Sequence, residues 1–229
     1  MTIGYYELPT GRVTAIDADS PFPPLSNALM DPNGLIAIGG DLSVPRLLDA
    51  YSHGIFPWYS DNDPILWWSP NPRMVLFLDE LKVSHSLAKT MRTNVFDVRF
   101  NTAFREVITA CSNKTRPGQL GTWITDEIIE AYCAMFEAGY AVSAETWQNN
   151  QLVGGCYGVK IGKMFFGESM FHDVTDASKV AFVSLMQSLK AEGFKMIDCQ
   201  MKTAHLASLG AREISREVFA KKLTALINS

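Results

Sequence analysis

The chain has 229 residues, 47% of them hydrophobic and 19% charged, which is enough apolar material for one large or two unequal domains and excludes disorder over most of the length. The net charge of −4, from 20 basic and 24 acidic side chains, by itself argues against a nucleic-acid binder. Counted by segment, however, residues 1–72 carry 2 basic and 8 acidic groups, 73–116 carry 8 and 4, 117–200 carry 5 and 10, and 201–229 carry 5 and 2. Two positive blocks in an acidic chain can face one polyanion, although scattered solvated cations give the same count.

The first residues lack a basic stretch followed by an apolar one, and no run of about 18 apolar residues occurs, so export and membrane insertion are disfavoured and a cytoplasmic location is expected. Cys111, Cys133, Cys156 and Cys199 are irregularly spaced, as buried reduced thiols would be. The four histidines show no metal-ligand spacing, and no metal is expected.

In chain order, Pro21, Pro23, Pro24, Pro32 and Pro57 break the first 70 residues into short pieces. One helix is predicted there, with Ser43 as N-cap, Pro45 in the first turn, Leu47, Leu48 and Tyr51 on one face, and Gly54 closing it. The aromatic run that follows, Ile55 to Tyr59 and then Trp67 to Pro72, suits a core or a pocket wall. From about residue 73 strand and helix signals alternate. Helical stripes run from Ala103 to Cys111 and from Thr125 to Gly139. Three strand-like runs, 140–147, 151–160 and 163–169, predict an antiparallel meander with turns at Asn149-Asn150 and Gly162. A helix from an Asp176 N-cap to Gly193, a strand from Phe194 to Gln200, a short helix over 203–209 and a last one after Ser215 complete the chain. The fold class is therefore α+β, with a small N-terminal domain (1–71) and a larger domain (72–229). Three antiparallel strands, a helix and a fourth strand resemble the core order of N-acyltransferases of the GNAT type, with a mostly antiparallel sheet flanked by helices.

Polar residues inside apolar strands are the informative ones, because burying them is costly unless they are paired or used. Asp198 and Gln200 are two apart in Met196-Ile197-Asp198-Cys199-Gln200, a spacing that puts both on one strand face. Glu168 sits among aromatics and Met in Phe165-Phe166-Gly167-Glu168-Ser169-Met170 and calls for a cationic partner, either a Lys or Arg of the chain or a ligand. A structural ion pair or a hydrogen-bonded core group is the alternative for each. Gly167-Glu168-Ser169 starts like a nucleophile elbow, but Phe171 stands where the second Gly is needed. Gly34 to Gly40 has no Lys to reach a phosphate, and His172-Asp173-Val174-Thr175 lacks the Gly-rich pattern of a CoA-pyrophosphate loop.

The motifs Pro32-Asn33-Gly34-Leu35, Gly39-Gly40-Asp41-Leu42-Ser43, Gly54-Ile55-Phe56-Pro57-Trp58, Pro64-Ile65-Leu66-Trp67-Trp68-Ser69-Pro70, Gly121-Thr122-Trp123-Ile124, Leu152-Val153-Gly154-Gly155, Phe166-Gly167-Glu168-Ser169-Met170-Phe171, Ala177-Ser178-Lys179, Ile197-Asp198-Cys199-Gln200 and Ser208-Leu209-Gly210-Ala211 follow one another in one order. Over about Phe22 to Phe219 this succession resembles the leucyl/phenylalanyl-tRNA-protein transferases. The resemblance implies an aminoacyltransferase that moves Leu or Phe, and also Met, from aminoacyl-tRNA to proteins beginning with Arg or Lys, marking them for N-end-rule degradation. It implies a GNAT-like catalytic domain that uses neither ATP nor a metal, and no cofactor; a monomer is expected. It carries a catalytic pair onto Asp198 and Gln200, and an acceptor-binding carboxylate onto Glu168. The aminoacyl pocket falls on Trp58, Trp123, Tyr132, Cys156 and Phe165, and tRNA binding on Lys82, Lys89 and Arg92.

Two positions depart from the family pattern. Cys156 replaces the usual Met or Leu, which would widen the pocket towards Phe. Ser84-His85-Ser86-Leu87-Ala88-Lys89 replaces a segment resembling S-R-S-L-R-K, so two cations are missing and fewer phosphate contacts are expected. The competing readings are a CoA-dependent N-acyltransferase, which shares the element order, and a non-enzymatic adaptor that binds N-terminal Arg or Lys through Glu168.

Overall fold

The computed structural model describes residues 4–114 and 122–229; Gly121 and the basic residue Arg116 lie outside the described residues. Two sheets organise the fold. The first consists of β1 (Gly4–Leu8), β2 (Gly11–Ile16), β3 (Leu35–Gly39), β4 (Phe56–Pro57) and β5 (Leu66–Trp68), in the order β1-β2-β3-β5-β4. Gly34 and Gly39, with φ of 96° and 100°, bracket β3 and serve its turns. The helix α1 (Val44–Ser52) is entered at Ser43, whose side chain accepts from the Arg46 backbone N–H, with Pro45 in its first turn. The opening hairpin β1–β2 is not foreshadowed by the residue pattern: β1 is almost wholly exposed and carries no apolar alternation.

The second sheet has seven strands: β6 (Arg73–Phe77), β7 (Asp97–Phe100), β8 (Ala141–Gln148), β9 (Gln151–Ile161), β10 (Met164–His172), β11 (Met196–Gln200) and β12 (Arg212–Ile214). Their order is β12-β6-β11-β10-β9-β8-β7, and every pair is antiparallel except β10 with β11. The meander β8-β9-β10 forms as predicted, and Asn149 and Asn150 turn its first hairpin with φ of 52° and 59°. The helices are α2 (His85–Arg92), α3 (Phe104–Ser112), α4 (Asp126–Glu137), α5 (Ala177–Ala191), α6 (Ala204–Ser208) and α7 (Arg216–Ile227). Asp176 stands at the start of α5 but makes no side-chain cap bond: its φ of 68° turns the carboxylate aside, where it takes Lys179 instead.

Strand alternation divides the core. Cys156, Phe165 and Ile197 pack with the apolar face of α5, while Tyr157, Phe166 and Met196 pack with α3, α4, α7 and the N-terminal sheet. That second cluster is continuous across the two sheets, joining Leu47, Tyr51 and Trp67 to Tyr132, Phe166 and Phe219. Tyr51 is thereby carried against the seven-stranded sheet.

Candidate active site

The parallel strands β10 and β11 pair only from Met164↔Met196 to Phe166↔Asp198. Beyond that point both become irregular, β10 between Gly167 and Ser169 and β11 between Asp198 and Gln200. A bulge re-aims side chains and ends pairing. A cavity of about 620 Å³ lies in this region, bounded by Gly167 to Met170 on one strand, Ile197 to Gln200 on the other, and Phe56 to Trp58 from the N-terminal sheet.

Glu168 sits at the cavity wall, half-buried, and no cation pairs with it among the described residues. Its partners are neutral. Tyr51 donates to Oε1 at 2.7 Å, Tyr132 to Oε2 at 3.3 Å, and the Gln200 side-chain Nε2 to Oε1 at 3.0 Å. The two tyrosine hydroxyls also contact one another. Three contacts thus link Tyr51, Tyr132 and Glu168, but two hydroxyls supply only two protons, and a proton on Glu168 completes the set. Burial pushes the Glu168 carboxyl up to about 7; the bonds from Tyr51 and the other donors oppose this shift, and the nearby Asp198 charge adds to it. Burial above all, and then the Glu168 charge, drives both tyrosines well above the ordinary phenol value, so they remain donors.

Asp198 is wholly buried and has a different partner. Arg73, itself 1% exposed, forks onto it with Nε–Oδ1 2.8 Å and Nη2–Oδ2 2.6 Å. The guanidinium lies between the Phe56 and Phe219 rings, 4.7 Å from each centroid. Asp198 also accepts the Gln200 backbone N–H at 2.9 Å. This corrects the expectation that the two side chains share a strand face. Gln200 adopts a left-handed φ of 60°, which ends the alternation. Asp198 therefore holds the backbone of Gln200, and Glu168 holds its side chain. With Nε2 given to an ionised Glu168, the amide oxygen is left for the cavity.

Of the expected pocket residues, Trp58, Trp123, Cys156 and Phe165 line the cavity, with Trp58 and Trp123 half-buried. Tyr132 does not: it is fully buried behind Glu168, with Tyr157 edge-on to its ring. Phe182, Met170, Ile197 and Leu206 add apolar surface to the same wall. Arg73 and Tyr51 are the important omissions. Tyr51 looks like one more apolar residue on α1, and the only signal at Arg73 is a lone cation opening an apolar strand. Among the described residues no group of three or more His, Cys, Asp or Glu is arranged to hold a metal ion.

The model of the leucyl/phenylalanyl-tRNA protein transferases matches residues 75–224, and that of their N-terminal domain matches 40–71. The chain belongs to the leucyl/phenylalanyl-tRNA–protein transferase family. It is an aminoacyltransferase. A relative of that name from Nitrosospira multiformis is 58% identical over 213 residues, 93% of this chain and 91% of that protein. Another from Chromobacterium violaceum is 61% identical over 202 residues, 88% of this chain and 86% of the relative. Among solved structures, FemX is similar with a TM-score of 0.52 at 10% identity, over 92% of this chain and 81% of that one, a likeness of fold alone.

The three cations expected to serve this transferase in tRNA binding are all exposed. Lys82 is exposed, with its backbone N–H donating to Leu209, and exposed Lys89 and Arg92 occupy the last turn of α2. None is in an ion pair among the described residues, although cations at a helix C-terminus also suit the helix dipole. The two basic blocks do meet: β12 pairs with β6, and Arg212 forks onto Glu80 at 2.9 and 3.1 Å. No helix of the described residues is long and apolar enough to cross a membrane.

Proposed function

We propose that this transferase takes leucyl or phenylalanyl, and also methionyl, groups from aminoacyl-tRNA to the α-amino group of proteins beginning with Arg or Lys. It thereby marks those proteins for N-end-rule degradation in the cytoplasm, acting as a monomer. The observation that carries the reading is a largely apolar cavity of about 620 Å³ that ends at the Glu168 carboxylate and the Gln200 amide. Side chains such as Leu and Phe suit its apolar walls, and a cationic N-terminus suits Glu168. The division into an N-terminal domain over 1–71 and a catalytic domain over 72–229 belongs to the same reading and is supported by the change of sheet there.

The chemistry needs little activation, because the donor is already an ester. The acceptor nitrogen attacks the carbonyl carbon, the bond from that carbon to the tRNA ribose oxygen breaks, and the amide forms. Orientation contributes roughly 7–11 kcal/mol at best to such a step. An α-amino group titrates near about 7.7–8.0, so a neutral fraction is available at pH 7. The Gln200 amide oxygen aligns the amine by accepting a hydrogen bond, but an amide is too weak a base to keep the proton. Asp198, neutralised by Arg73, acts as a positioning residue for Gln200. Glu168 takes the proton from the amine into its network with the tyrosines and gives it back to the ribose oxygen, which leaves as a hydroxyl, so the carboxylate is restored.

The direct experiment is to incubate the protein with labelled Phe-tRNA and an Arg-initiated peptide. Label appearing in the peptide supports the transferase; peptide binding without transfer fits the adaptor, and thermal stabilisation by acetyl-CoA fits the CoA enzyme. Two further outcomes test the details. Cys156 lies in the cavity wall, so Cys156→Met narrows it and lowers the Phe/Leu ratio of kcat/KM, within the roughly 10–200-fold that a methylene-sized change can produce. An unchanged or higher ratio in the variant removes the assignment of Cys156 to specificity. Charge reversal at Lys89 and Arg92 weakens tRNA binding and flattens its salt dependence, by about one in slope for each phosphate that is no longer neutralised. Equal affinity across a salt series would assign those cations to the helix dipole alone.

A further inference from the structure

Tyr51 reaches the Glu168 carboxylate from α1, the helix between β3 and β4, and is fully buried behind the cavity wall. Two contacts hold that helix against the seven-stranded sheet and its helices. The Tyr51 ring lies 4.9 Å from that of Phe166, two residues before Glu168 on β10. Just past α1, Gly54 adopts a φ of 75° so close to α7 that a Cβ there would stand 2.8 Å from the Phe219 ring. The Tyr51 hydroxyl is therefore set at 2.7 Å from Oε1, nearer to the carboxylate than Gln200 at 3.0 Å or Tyr132 at 3.3 Å.

The groups around Glu168 leave neutral donors to support its charge. Tyr51 comes from α1, Tyr132 from α4, and Gln200 and Asp198 from β11. Arg73 of β6 is taken up by Asp198, and Lys202, which borders the cavity, is tied at 2.7 Å to Glu213. His205 also lines the cavity, with its imidazole held below the usual range by burial. A hydrogen bond given to an ionised carboxylate is roughly twice as strong as one between neutral groups. Tyr51 thus favours the ionised form. After Glu168 accepts a proton, that proton completes the ring through Tyr51 and Tyr132, so the acid is also accommodated.

We infer that Tyr51 is a positioning residue for transfer: its hydroxyl, brought by α1, holds Glu168 in the ionised form that receives the proton of the acceptor amine. This inference rests on the transferase reading above. The N-terminal helix thereby takes part in the reaction although its tyrosine does not line the cavity.

Tyr51→Phe keeps the ring and removes the donor. The Glu168 side-chain carboxyl is followed by 13C NMR in protein labelled at glutamate, its signal assigned by loss in Glu168→Gln. In the unaltered protein it titrates near about 7; in Tyr51→Phe the midpoint rises by about one unit, the net of a charge-assisted bond lost and a neutral one lost. Initial rates with freshly charged Phe-tRNA move with it. The variant transfers about fivefold more slowly at pH 7, and the deficit shrinks towards pH 9 as Glu168 ionises in both proteins. A merely structural loss would lower the rate by the same factor at every pH. Replacing Tyr51 by 3-fluorotyrosine, of nearly the same shape but with a more acidic hydroxyl, shifts the midpoint down and keeps the test available if Tyr51→Phe does not fold. An unmoved or reversed midpoint in these variants, or a pH-independent deficit, overturns the inference. Absence of Phe transfer by the unaltered protein, with the midpoint moving as stated, would instead sink the transferase reading.

Discussion

Replacing Glu168 by Gln lowers transfer to an Arg-initiated peptide by about a hundredfold to ten-thousandfold, the range contributed by a positioned general base. The variant keeps the shape of the side chain and can still meet Tyr51, Tyr132 and Gln200, so the loss reports charge and proton acceptance. The pH profile separates the two contributions. With Glu168 present, activity climbs as pH rises through about 7, where the carboxyl ionises. In the Gln variant the residual activity follows the acceptor amine alone, roughly half to one unit higher. Stability moves oppositely. The folded carboxyl titrates near 7 instead of the ordinary 4.5, so the folded protein holds this proton more tightly than the unfolded chain. Its contribution to stability is present below the unfolded value and is lost as pH rises through the folded one. Thermal midpoints of the two proteins measured between about pH 5 and 8 should therefore converge in slope only above 7. Full activity in Glu168→Gln would return the proton to another acceptor.

Asp198→Ala gives the second large effect, and it acts on stability first. It leaves the Arg73 guanidinium buried without its counter-charge, which typically costs about 3–5 kcal/mol. Removing both charges, as in Arg73→Met with Asp198→Leu, recovers much of that loss, because apolar replacement of a buried pair is often close to neutral. Transfer does not recover with it. Gln200 at φ 60° relies on Asp198 Oδ1 for its backbone N–H, and a left-handed non-glycine residue is held only where its surroundings compel it. Urea denaturation of the single and double variants beside a transfer assay checks both halves. A double variant that folds and transfers normally would leave the ion pair with no part in positioning Gln200.

The conflict between what Asp198 looks like in the strand and what it does in the fold has a local cause. Period-two alternation puts residues 198 and 200 on one face only if the strand is regular, and β11 becomes irregular between them. Tyr132 shows a similar limit: the family pattern assigns it to the pocket wall, yet burial turns it to the back of Glu168, where it donates a hydrogen bond.

The features legible in the residues alone were local or cumulative. Ser43 and Thr125 as N-caps, the Asn149-Asn150 turn, the β8-β9-β10 meander and family membership rest on neighbouring residues or on many motifs in one order. Which polar groups meet was settled by packing. Arg73 and Asp198 are 125 residues apart, and Tyr51 and Glu168 are 117 apart. Such pairs leave no periodic trace, because their geometry is set by the packing of α1 and β6 against the irregular ends of β10 and β11. The net charge of −4 is equally silent about position: the fold joins the two basic blocks through β6 and β12 and keeps Glu168 at the cavity.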